Sequence, residues 1–121
     1  ITRGLAEITR LTTAAGGRRE TPAGLSGLGD LVLTCTGSLS RNRHVGIELA
    51  RGRDLRDIVS GMKMVAEGVK TTGAALALST RYEVELPIAA QMAAVLEGRI
   101  DVRSGLEALM LRPQRSEAEP N

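Results

Sequence analysis

The chain has 121 residues, 42% hydrophobic and 25% charged, with a formal net charge of +2. This composition fits one soluble globular domain with a single core and leaves no room for a second domain of ordinary size. Cys35 is the sole cysteine, which excludes an intramolecular disulfide framework and points to a cytoplasmic setting. No apolar run approaches the ~20 residues of a bilayer span, so no membrane insertion is expected. Tyr82 is the sole aromatic residue, which removes base stacking as a main binding mode. The chain opens on Ile1, and the expectation is a piece of a longer protein.

Residues 1–15 place Ile1, Leu5, Ile8 and Leu11 or Thr12 at helical spacing, with Arg3, Glu7 and Arg10 expected on the solvent side. Gly16 and Gly17 end that helix. Thr21 before Pro22 predicts an N-cap and first turn of a second helix, which must then carry Gly24, Gly27 and Gly29. Each glycine costs up to ~1 kcal/mol in a helix interior, so a close approach to a neighbour is expected to offset the loss. The run Leu31–Thr36 continues as helix, and Gly37 stops it.

Ser38 and Ser40 are candidate caps for a helix running to about Arg51, and Asp54 caps a short one ending near Gly61. A long helix is predicted from Val65 to about Arg81, with Val69, Thr72 and Leu76 on one face. Pro87 starts another, with Ile88, Met92, Val95 and Leu96 as its apolar stripe and Gly98 behind it. Asp101 caps a last helix whose apolar face is Val102, Leu106, Leu109 and Met110, and Pro113 stops it. The fold class expected is all-α, a bundle-like domain of about six or seven helices over 1–112, with 113–121 a disordered polar tail.

The basic residues are almost all arginine, the better fork for phosphate. In the stretch Gly24–Arg43, Asp30 and Thr34 form an i, i+4 pair on one helical face. Just beyond, Ser40, Arg41 and Asn42 open the next helix, where free backbone N–H groups, a hydroxyl, an amide and a guanidinium converge as a phosphate dianion requires. From the residues alone a second reading stands beside this anion site: Ser40 only a cap, and Arg41 and Arg43 solvated surface charge. Cys35 reads most simply as a small buried hydrophobe, and His44 as a surface or core-filling residue. The glycines run G-x-x-G-x-G without a preceding strand, so they are not a dinucleotide loop. Nothing has metal-ligand spacing.

Gly27 through Thr36 followed by Ser40-Arg41-Asn42-Arg43 closely resembles the signature of the bacterial NAD(P)-dependent glycerol-3-phosphate dehydrogenases. Residues 1–10, Val65 to Val69 and Glu85 to Ile88 resemble that family's other landmarks, so the resemblance spans nearly the whole chain. It implies the helical C-terminal domain of the 6-phosphogluconate-dehydrogenase-like type, closing over substrate beside an N-terminal Rossmann domain that holds NAD or NADP. The reaction implied interconverts dihydroxyacetone phosphate and sn-glycerol 3-phosphate for phospholipid synthesis. By the same resemblance Ser40, Arg41 and Asn42 hold the substrate phosphate, Asp30 and Thr34 line the pocket, and Arg41, Val65 and Glu67 contact the cofactor. The family's general acid/base lysine lies upstream, and neither Lys63 nor Lys70 matches it, so the isolated chain is expected to be inactive.

Two other readings have a basis in the residues. A helical nucleic-acid-binding module is raised by Arg41, Arg43, Arg51, Arg53 and Arg56, but Glu48, Asp54 and Asp57 thin that stripe. A homodimerisation domain is raised by the apolar surface expected where the other half would sit.

Overall fold

The computed structural model describes residues 1–64 and 66–116, and these form an all-helical domain. Val65 and the greater part of the expected tail, 117–121, lie outside the described residues. Seven α-helices run in order: α1 Thr2–Ala14, α2 Asp30–Thr36, α3 Arg41–Ala50, α4 Leu55–Ser60, α5 Glu67–Tyr82, α6 Pro87–Leu96 and α7 Val102–Met110. Among the described residues no helix is long and apolar enough to cross a membrane.

Three helices start where their own sequence provides an acceptor. Ser40 accepts from the Arg43 N–H at the head of α3, Asp54 from Arg56 at α4, and Asp101 from Ser104 at α7. Each satisfies an N–H that the first turn leaves without a partner. The other four start where it does not, α1 at Ile1 and α2 directly from the π turn among them. Ala66 before α5 and Leu86 before α6 have no capping side chain.

For α6 the acceptor is Glu7. Its carboxylate accepts from the backbone N–H of Ile88, and from that of Ala89 at 3.3 Å. Glu7 is only 7% exposed, the reverse of the solvent-side placement expected from sequence. Its neighbours on the same stripe reach other parts of the chain from the surface: Arg3 donates to the Leu109 carbonyl in α7 at 3.1 Å, and Arg10 to the Glu85 carbonyl in the link before α6 at 3.2 Å. Ile1 and Ile8, expected inside, are exposed. Leu5, Leu11 and Thr12 are part-buried and Arg3 is exposed as expected, so the chief departure is Glu7, drawn in by the unpaired N–H groups at the head of α6.

The predicted second helix is broken. Thr21–Ala23 make one turn of 3-10 helix with Thr21 as its first residue and Glu20, not Thr21, at the cap position. Gly24 then turns extended (φ −92°, ψ −157°), and Leu25–Gly29 make a wide π turn that runs into α2. Gly27 is the glycine that geometry demands, since a Cβ there would lie 2.0 Å from the Pro22 carbonyl oxygen.

The core is small and built from aliphatic and alanine side chains, as the shortage of aromatics requires. Val45, Ile58 and Ala66 are buried among Leu49, Leu55, Met62 and Val69, where α3, α4 and the start of α5 meet. On α6 the fully buried residues are Ala93 and Ala94, while the larger Ile88, Met92, Val95 and Leu96 are half-buried. α7 approaches α6 through Gly105, which meets Val95 Cγ2 and has Ile100 Cδ1 nearby. Leu106 and Met110, expected on that face, are instead 58% and 69% exposed. Cys35 is exposed as well. In the described part of the tail, Arg115 pairs with Glu85 at 2.8 Å.

Burial pushes the Glu7 carboxyl above its ordinary pKa, against the lowering pull of the Ile88 and Ala89 N–H groups and of Arg10 and Arg112. A raised native pKa means that the contribution is full at low pH and is lost as pH rises through the native value. Two outcomes are expected in thermal denaturation. Glu7→Ala leaves two N–H groups at the head of α6 unpaired and destabilises the domain by about 1–3 kcal/mol. The stability of the parent relative to Glu7→Gln falls as pH rises through and above the ordinary carboxylate range, because the neutral amide does not titrate.

Candidate functional site

The end of α2, the turn after it and the head of α3 enclose an open cleft of about 480 Å³, completed by Glu67 from the first turn of α5. Its walls are Leu33 and Thr34 of α2, the turn Gly37-Ser38-Leu39, and Ser40, Arg41 and Asn42. The volume lies within the ~300–1,000 Å³ of small-molecule sites. Several of its walls stand in solvent: Leu39 is 95% exposed and Leu33 71%.

Local chemistry explains why α3 points a helix N-terminus into this cleft. Ser40 is extended (φ −71°, ψ 120°), and its Oγ accepts from the Arg43 N–H at 3.1 Å. Its carbonyl accepts from His44. The cap thus serves the third residue of the helix, and the N–H groups of Arg41 and Asn42 remain at the positive end of the helix dipole. Arg41 adds a full charge on the cleft wall, whereas Arg43 is exposed and off the wall.

Asn42 has a second duty. Its Oδ1 accepts from the Gly68 N–H at 3.0 Å and so caps α5, which Ala66 cannot do. Because the oxygen faces an N–H, the Nδ2 group is left as a donor. This bond sets the heads of α3 and α5 side by side. Gly68 was not singled out from sequence, although a helix start lacking Ser, Thr, Asp or Asn signals that an acceptor is borrowed from elsewhere.

Of the residues expected at the site, Thr34, Ser40, Arg41, Asn42 and Glu67 come together around this cleft. Asp30 begins α2, one turn before Thr34, exposed and outside the cleft wall. Val65 lies outside the described residues. Ser38, considered as a cap, forms part of the wall. His44 is exposed, and no group of three or more His, Cys, Asp or Glu able to hold a metal occurs among the described residues.

Two of the five arginines of the stripe, Arg51 and Arg53, share one carboxylate. Glu48, 8% exposed, binds Arg53 at 2.6 Å and Arg51 at 2.9 Å, and these guanidinium groups, Arg53 foremost, hold its carboxyl below the ordinary range.

The sequence profile of the family described as NAD-dependent glycerol-3-phosphate dehydrogenase C-terminus matches residues 1–107. The chain belongs to this family. It is 61% identical over 118 residues to glycerol-3-phosphate dehydrogenase [NAD(P)+] of Acidobacterium capsulatum, covering 97% of this chain and 35% of the relative. It is 58% identical over 118 residues to the protein of that name from Koribacter versatilis, with the same coverage of both chains. The crystal structure of glycerol-3-phosphate dehydrogenase from Coxiella burnetii superposes with a TM-score of 0.88 at 39% identity, over 92% of this chain and 34% of that one. The chain thus spans about a third of the length of the dehydrogenases it matches. Membership in this family decides against the nucleic-acid-binding module.

The capping role of Asn42 can be tested by substitution. Asn42→Ala removes the acceptor at the head of α5 and lowers stability by about 1 kcal/mol. Asn42→Asp keeps an acceptor and adds negative charge at a helix N-terminus, so its melting temperature is expected at or above that of the parent. Thermal melts of the two variants side by side check this.

Proposed function

We propose that this chain is the substrate-binding half of an NAD(P)-dependent glycerol-3-phosphate dehydrogenase that interconverts dihydroxyacetone phosphate and sn-glycerol 3-phosphate in the cytoplasm. The observation that carries the reading is the convergence of Ser40, Arg41 and Asn42 with Thr34 on one cleft at a helix N-terminus. In this reading the free N–H groups of Arg41 and Asn42, the Arg41 guanidinium and Asn42 Nδ2 hold the phosphate dianion. Charge-assisted contacts of this kind fix the position of the triose as well as its affinity. Thr34 lines the pocket beside the triose, and Asp30, one turn further out on the same face, extends that wall once the other half of the enzyme is in place.

The nicotinamide nucleotide, NAD or NADP, supplies the hydride when bound. The described residues contain no strand and no strand-to-helix glycine turn, so they do not form a pyrophosphate site. What they offer the nucleotide is an edge: Arg41 and Glu67, with Val65 assigned there from sequence. The exposed apolar rim of the cleft, Leu33 and Leu39 with Leu25 nearby in sequence at 91% exposure, is where the nucleotide-binding half is expected to close. Homodimerisation through such a surface is the second use we assign to it. The proton donor is assigned to the nucleotide-binding half, because neither Lys63 nor Lys70 is among the cleft residues.

Two experiments test the reading. In the complete protein, Arg41→Ala lowers kcat/KM for dihydroxyacetone phosphate by ~30- to several-thousand-fold, the loss of a charge-assisted contact in a closed site, and leaves the melting temperature nearly unchanged. Arg43→Ala has a much smaller effect. Equal effects from the two, measured by steady-state kinetics, return Arg41 to ordinary surface charge. The 121-residue chain alone is expected to consume no NADH or NADPH with dihydroxyacetone phosphate, and turnover above a buffer blank overturns its assignment as a half-site.

A further inference from the structure

We propose that Gly68 is a positioning residue for the anion site. Its N–H and its lack of a side chain together hold the Asn42 carboxamide in the one orientation that leaves Nδ2 available to the substrate phosphate. The inference rests on the phosphate reading above and extends it to a residue that lines no part of the cleft.

The terminal torsion of asparagine has broad, roughly two-fold preferences, so an exposed carboxamide is free to present either its donor or its acceptor to a ligand. An acceptor turned toward a dianion repels it. At Asn42 the choice is made by Gly68, whose N–H donates to Oδ1 at 3.0 Å. The bond needs close approach. A Cβ on residue 68 would lie 2.7 Å from Asn42 Oδ1 and 2.9 Å from Cγ, inside any tolerable contact.

The atoms in the way belong to the end of an exposed, rotatable side chain and not to backbone. α5 therefore accepts a methyl at 68 by pushing the Asn42 carboxamide aside, and alanine is favoured over glycine in a helix. The same change at Gly27 would meet the Pro22 carbonyl, which cannot yield. Gly68→Ala thus spares the fold and disturbs the site. Gly73, in the same helix with nothing within 4 Å of an added Cβ, is the matched control.

The test compares Gly68→Ala and Gly73→Ala in the complete protein, using dihydroxyacetone phosphate and unphosphorylated dihydroxyacetone as alternative substrates. Gly68→Ala is expected to lower kcat/KM for the phosphorylated substrate about tenfold or more, chiefly through KM, and to leave the unphosphorylated one unchanged. Its melting temperature stays close to that of the parent, the gain in helix propensity offsetting the lost cap, and Gly73→Ala keeps parental kinetics. The proposal is overturned if Gly68→Ala retains the parental preference for phosphate. It is equally overturned if both substrates suffer alike, the mark of structural damage. A parent with no preference for the phosphorylated substrate would remove the phosphate reading itself, and this inference with it.

Discussion

The N–H groups of a helix's first turn need acceptors, and α5 and α6 begin at residues that offer none. Ala66 and Leu86 have no capping side chain, and α5 and α6 take their acceptors from Asn42 and Glu7, which are 26 and 81 residues from the N–H groups they serve. The tertiary arrangement depends on this borrowing. Asn42 ties the head of α5 to the head of α3 and so builds the cleft. Glu7 ties α6 to α1, and Arg3 and Arg10 add surface bonds to the carbonyls of Leu109 and Glu85. Charged groups thereby replace part of the apolar contact that a small domain short of aromatic residues has trouble supplying.

What the sequence made legible was whatever is decided locally. Ser40, Asp54 and Asp101 cap the helices expected of them because acceptor and N–H lie within three residues of each other. The grouping of Thr34, Ser40, Arg41 and Asn42 was legible for the same reason, since a short turn separates the end of α2 from the head of α3. The inward placement of Glu7 was not legible, because it meets partners far along the chain and a polar stripe looks alike whether it faces water or helix ends. The break at Gly24 was hidden by an unbroken helical pattern in which three glycines stood close together, of which Gly27 alone has a backbone carbonyl at its Cβ position.

The cleft is built from few buried residues and many exposed ones. The core of Val45, Ile58 and Ala66 lies behind the heads of α3 and α5 and fixes their relation, while Leu33 and Leu39 at the rim are left in solvent. On the proposed reading, a rigid back and an unfinished front suit a half-site: the groups assigned to the phosphate are held in place in advance, and the apolar rim is what the other half would cover. Glu48 adds to the rigid back by drawing in Arg51 and Arg53 from the far end of α3, which keeps their charge from competing with Arg41.

The capping of α6 by Glu7 also bears on how the chain folds. A helix with its own cap forms its first turn from neighbouring residues alone, whereas the first turn of α6 stays unfavourable until a residue 81 positions earlier has docked. Closing so large a loop is paid in chain entropy before its contacts are gained, which places the joining of α1 to α6 late on the folding route. α3, α4 and the head of α5 are linked over shorter spans and are suited to condense first. On that order the corner that carries the cleft takes shape before the first helix is docked.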